Sequence, residues 1–78
     1  MKKETVTMTR FPQKGGFYVE VIPAKDAVAF WLGHKDCDIK ELMFAASAPF
    51  APEDRWEAMI EEDLQDYMDD FKEAWLED

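Results

Sequence analysis

A single cysteine, Cys37, leaves no partner for an internal disulfide. With one histidine (His34), one serine (Ser47) and no asparagine, the chain is poor in the groups that make up a nucleophile, its activating base and the residue that orients the base. Glycine is equally scarce: Gly15-Gly16 is the only pair, and no helical pattern follows it to form a phosphate-binding turn. No run approaches the ~18 apolar residues of a membrane span. The start, Met1-Lys2-Lys3-Glu4-Thr5-Val6-Thr7, alternates instead of entering the apolar stretch of a signal peptide. A lone thiol without such a leader sets the expectation of a reducing, cytoplasmic setting.

What is present is hydrophobic residues and acid. At 47% hydrophobic and 14% aromatic, the chain is too apolar to stay disordered despite a net charge of −9. Residues 1–51 hold seven bases against six acids, whereas residues 52–78 hold twelve acids against Arg55 and Lys72, a net −10. The whole excess charge therefore lies on one element. At 78 residues the chain removes only about 60–65% of its unfolded surface from water, which predicts one small domain with a modest core.

Residues 5–11 alternate and are rich in β-branched side chains, which predicts a strand; residues 12–16 supply a turn, and residues 17–22 a second strand. Phe17, Val19 and Val21 share one face of that strand, opposite Tyr18, Glu20 and Ile22. After Pro23 a third strand covers residues 27–32, with Val28, Phe30 and Leu32 inward. Residues 33–38 are expected to form a polar loop. Residues 39–46 read as a fourth strand with Leu42 and Phe44 on the core face, although Lys-Glu-Leu-Met-Phe-Ala-Ala also suits a short helix.

Two prolines within residues 47–52 end the strand pattern, making residues 47–51 a linker. Pro52 at a first helical position, followed by Glu53 and Asp54, predicts a helix over residues 52–77. Within it Trp56, Ile60, Leu64, Tyr67 and Phe71 recur every three or four residues as one apolar stripe. The predicted fold is α+β: a four-stranded antiparallel meander, within residues 4–46, packed on one long C-terminal amphipathic helix. Twenty-six helical residues extend ~39 Å against ~23 Å for a seven-residue strand. The helix is therefore expected either to break near Asp69-Asp70 or to project beyond the sheet. Tyr18, Ile22, Trp31 and Met43 are left on the outer sheet face, a possible second interface or homodimer seam.

His34 and Cys37 lie three apart without the CxxC or HxxxH spacing of a metal site, and Asp63 alone among the helix acids falls at the edge of the apolar stripe. The sequence thus predicts no catalytic residues, cofactor or metal site. The acids are more distinctive. Glu62, Asp66, Asp69 or Asp70, Glu73 and Glu77 form a file down one side of the helix, with Glu61 beside it. Each like-charged neighbour pair costs roughly 0.2–0.5 kcal/mol. The plain alternative is a solvated helix face; the sharper reading is a row of carboxylates, ~6 Å apart, that mimics nucleic-acid phosphates and binds a basic protein groove. Direct nucleic-acid binding is disfavoured by the same charge.

Residues 29–44, Ala-Phe-Trp-Leu-Gly-His-Lys-Asp-Cys-Asp-Ile-Lys-Glu-Leu-Met-Phe, resemble a segment of small proteins of gut bacteria, often carried on mobile elements. In size, acidity and strand-then-helix order the chain resembles the small phage-encoded anti-CRISPR inhibitors that occupy DNA-binding grooves. That likeness is one of overall character and carries no motif residue across. It implies a non-enzymatic inhibitor whose partner is a nucleic-acid-binding protein.

Overall fold

The computed structural model describes residues 8–76. Four strands, β1 (Thr9–Pro12), β2 (Phe17–Pro23), β3 (Ala27–His34) and β4 (Cys37–Ser47), form an antiparallel sheet in sequential order. A single helix, α1 (Trp56–Phe71), is entered through a 3₁₀ turn at Glu53–Arg55 and leaves through a π turn at Lys72–Leu76. This is the predicted α+β meander and helix. The part of the first predicted strand before Met8 lies outside the described residues.

Alternation dictates which side of the sheet meets the helix. Phe17, Val19, Val21, Val28, Phe30 and Leu32 are all buried, together with Ile60, Met68 and Phe71 of α1. Each such side chain contributes about 1.5–3 kcal/mol on full burial. The Phe17 ring meets that of Phe71 edge-on at 5.8 Å, and Phe30 stacks on Phe44 at 4.5 Å. Trp56 anchors the helix entrance, its indole N–H donating to the Ala51 carbonyl at 2.8 Å.

β4 departs from simple alternation. Phe30 pairs with Phe44 but Trp31 pairs with Leu42, so Met43 is an extra residue in a β-bulge. The bulge turns Met43 into the core (7% exposed) and leaves Leu42 half exposed, the reverse of the sequence expectation for this pair. Phe44 keeps its expected place.

The predicted loop at residues 33–38 shrinks to the two-residue turn Lys35-Asp36, because β3 continues to His34 and β4 begins at Cys37. His34 holds that turn: Nε2 donates to the Gly15 carbonyl at 2.8 Å and Nδ1 accepts the Asp36 N–H at 3.1 Å. Lys35 N–H donates to the Gly16 carbonyl at 3.0 Å, tying the two turns at this end of the sheet together. Gly15 and Gly16 have φ of 72° and 85°, left-handed values that a side chain disfavours.

The helix is interrupted at Asp63 (φ −126°, ψ 19°), not near Asp69-Asp70. Past that point Met68 is the deeply buried residue, while Leu64 and Tyr67 pack on the flank of the core. Pro52 sits one residue earlier than expected, in extended conformation, with its carbonyl accepting the Arg55 N–H at 2.9 Å.

Candidate functional site

Two surfaces carry the polar chemistry: the solvent face of α1 and the sheet face opposite the core. On α1 the apolar stripe faces the sheet, so the remaining positions point to water. Glu61, Glu62, Asp66, Asp69, Asp70 and Glu73 are all exposed; Glu77 lies outside the described residues. Glu57 is exposed as well and precedes Glu61 by one helical repeat. The four-residue spacing of Glu57 and Glu61 is legible in the sequence. Among the described residues the ion pairs are Arg10–Glu20, Lys35–Asp36 and Lys40–Glu20, and none involves a helix acid. The one side-chain bond within the acidic face joins Gln65 Nε2 to Asp69 Oδ1 at 3.0 Å. Among the described residues the helix acids therefore have no ion-pair partner. Glu53, Asp54 and Glu57 near the entrance gain from the positive end of the helix dipole; Glu73 near the exit does not.

The outer sheet face holds a charged network where the sequence suggested an apolar patch. Arg10 of β1 lies opposite Glu20 of β2 and donates to Oε2 from Nη2 at 2.6 Å and from Nε at 3.1 Å. Lys40 Nζ from β4 lies 2.8 Å from Oε1, close enough to pair although outside the arc of an aligned hydrogen bond. The Glu20 side chain is only 1% exposed, while those of Arg10 and Lys40 are 53% and 43% exposed. Burial pushes the Glu20 carboxyl up, but Lys40 and Arg10 more than offset it and hold the group below its usual value. The same pairing raises Lys40.

Neighbouring residues fix this geometry. The Arg10 guanidinium stacks 4.1 Å over the Tyr18 ring, and Tyr18 pairs across the strands with Gly33. A Cβ at residue 33 would stand 2.5 Å from Tyr18 Cζ and Oη, so glycine there gives the ring its seat. Of the predicted second interface, Tyr18, Ile22 and Trp31 are partly buried on this face; Met43 is in the core and Leu42 takes its place. Arg10 and Glu20 were visible as mirror positions about the turn, but Lys40 reaches Glu20 across β3, a pairing that no local spacing announces.

His34 and Cys37 face one another across the β3–β4 hairpin rather than sharing a loop. The imidazole packs edge-on against Phe17 at 4.7 Å with both nitrogens engaged, and the Cys37 thiol is half-buried beside the core. Asp63 is exposed at the helix interruption. Among the described residues no three His, Cys, Asp or Glu side chains converge as a metal site, and no helix is long and apolar enough to cross a membrane. Comparison with protein-family models, curated proteins and solved structures yielded no match to this chain.

Proposed function

We propose that this chain is a non-enzymatic interaction protein whose acidic helix face occupies a basic groove of a nucleic-acid-binding protein. The observation that carries this reading is the row of exposed carboxylates from Glu61 to Glu73, none of which forms an ion pair among the described residues. A folded domain gains nothing in stability from leaving such a row unneutralised, since interspersed lysines would remove the repulsion. Carboxylates one helical repeat apart meet the arginines and lysines that otherwise hold phosphates, and the excess negative charge repels nucleic acid itself. A reducing cytoplasm is the setting this reading proposes, one in which the single Cys37 thiol stays reduced.

The competing reading is a homodimer through Tyr18, Ile22, Trp31 and Leu42. The charges on that face are already paired with each other around Glu20, which weakens its case as a seam.

The deciding experiment is competition. Proteins retained from a bacterial lysate at low salt and released at high salt are loaded with fluorescent duplex DNA or single-stranded RNA. The chain is expected to displace the nucleic acid with steep salt dependence. A variant with Glu62→Gln, Asp66→Asn, Asp70→Asn and Glu73→Gln should lose that capacity while remaining folded. Equal displacement by the variant overturns the assignment.

A further inference from the structure

A trough runs along the flank of α1, between the helix and the β1–β2 turn. Three adjoining hollows of 190, 390 and 310 Å³ make it up. The first and second share Pro12, Gln13 and Glu61; the second and third share Lys14, Gln65 and Met68. Its floor is apolar, with Leu64 in the middle and Phe17 and Met68 towards the far end. Its rim is graded. Glu57 and Glu61 border the near end, where the facing wall of Phe11, Pro12 and Gln13 offers no cation. Lys14, Lys72 and Asp69 flank the far end beside Phe17 and Met68.

We propose that this trough seats an extended segment of the partner, with a lysine or arginine at the Glu57–Glu61 end and apolar side chains over Leu64, Met68 and Phe17. The inference rests on the reading that the acidic helix meets a cationic protein. It adds a second file of the same helix, Glu57, Glu61, Gln65 and Asp69, bordering a groove rather than open solvent. Charge complementarity sets the direction: a cation is favoured at the first end, bordered by two carboxylates, over the other, where two lysines outweigh Asp69. An extended chain matches the shape of the trough, which runs on through three adjoining hollows. The eleven residue steps from Glu57 to Met68 span ~16 Å, about five extended residues, so alternate side chains of one strand face reach both ends.

The test is an NMR titration of the full chain with the synthetic peptide Arg-Ser-Arg-Ser-Leu-Ser-Leu-Ser and an equally charged control in which both leucines are serine. Shifts are expected at Gln13, Lys14, Leu64 and Met68, with the leucine peptide binding about tenfold more tightly than the control. Glu57→Gln with Glu61→Gln should weaken it about fivefold at low salt, the yield of two exposed ion pairs. Glu62→Gln with Asp66→Asn, Asp70→Asn and Glu73→Gln, the variant expected to lose nucleic-acid competition, should change it less than twofold. Equal binding of the two peptides, shifts confined to the outer file, or no binding at millimolar peptide overturns the proposal. Loss of competition in the outer-file variant alongside any of those results leaves the broader reading standing.

Discussion

Removing one member of the Arg10–Glu20–Lys40 network should have very different consequences depending on which member goes. The carboxylate is buried and both cations are half in water. Lys40→Met leaves Oε1 buried without a partner, a desolvation cost of about 1–3 kcal/mol. Arg10→Met removes both donors to Oε2 and the stack on Tyr18, placing it toward the lower end of ~3–5 kcal/mol because water reaches the vacated side. Glu20→Gln leaves two cations that solvent can hydrate and an amide oxygen that still accepts from Arg10, for about 1 kcal/mol. With a urea m-value of ~1 kcal/mol/M for a small domain, the denaturation midpoint followed by circular dichroism should fall by ~3 M for Arg10→Met and by ~1 M for Glu20→Gln. The pH dependence has a definite sign. A carboxyl held low in the fold contributes stability that is present above its unfolded value near ~4.3 and lost as pH falls through the folded value. A raised lysine contributes below its unfolded value near ~10.4 and loses that contribution as pH rises through the folded one. Wild type should therefore lose stability at both extremes, and Glu20→Gln should flatten both losses. If Glu20→Gln proved as costly as Arg10→Met, the network would not be organised around a buried carboxylate.

Two further outcomes follow from packing and charge. Phe71→Ala, at a fully buried position against Phe17, should cost about 3–5 kcal/mol and unfold much of the population of so small a domain, whereas Leu64→Ala on the trough wall should cost about 1 kcal/mol; thermal melts of the two variants check this. Neutralising Glu62, Asp66, Asp70 and Glu73 should raise stability by on the order of 1–2 kcal/mol at low salt, a gain that vanishes in 1 M NaCl if repulsion is its source, so urea melts at both ionic strengths decide it.

The strands and helix were legible because each pattern is local: Val19 and Val21, Phe30 and Leu32, Ile60 and Phe71 repeat at the period of their own element. The exposed carboxylates follow from the same arithmetic, since whatever lies opposite the apolar stripe faces water. What escaped depends on partners distant in sequence. Met43 is buried only because β3 and β4 differ by one residue in register, which alternation within β4 cannot reveal. Asp63, a polar residue at the edge of the stripe, gave no sign that its backbone leaves the helix. The Glu20–Lys40 pairing has no local signature, because it reaches across β3. The trough needed coordinates too, since its walls come from residues about fifty apart.

The bulge at Met43 also bears on how the molecule keeps to itself. A meander of four strands has two open edges, and an eleven-residue edge strand such as β4 is a template on which other chains can add by backbone pairing. Here the edge is broken twice, at Met43 and again between Cys37 and Glu41, and it carries Asp38, Lys40 and Glu41, with the Trp75 indole N–H donating to Glu41 at 2.6 Å. The other edge, β1, is four residues long and ends in Pro12, which has no N–H to offer. Each interruption costs some ladder regularity, and together they disfavour edge-to-edge pairing of one sheet with another.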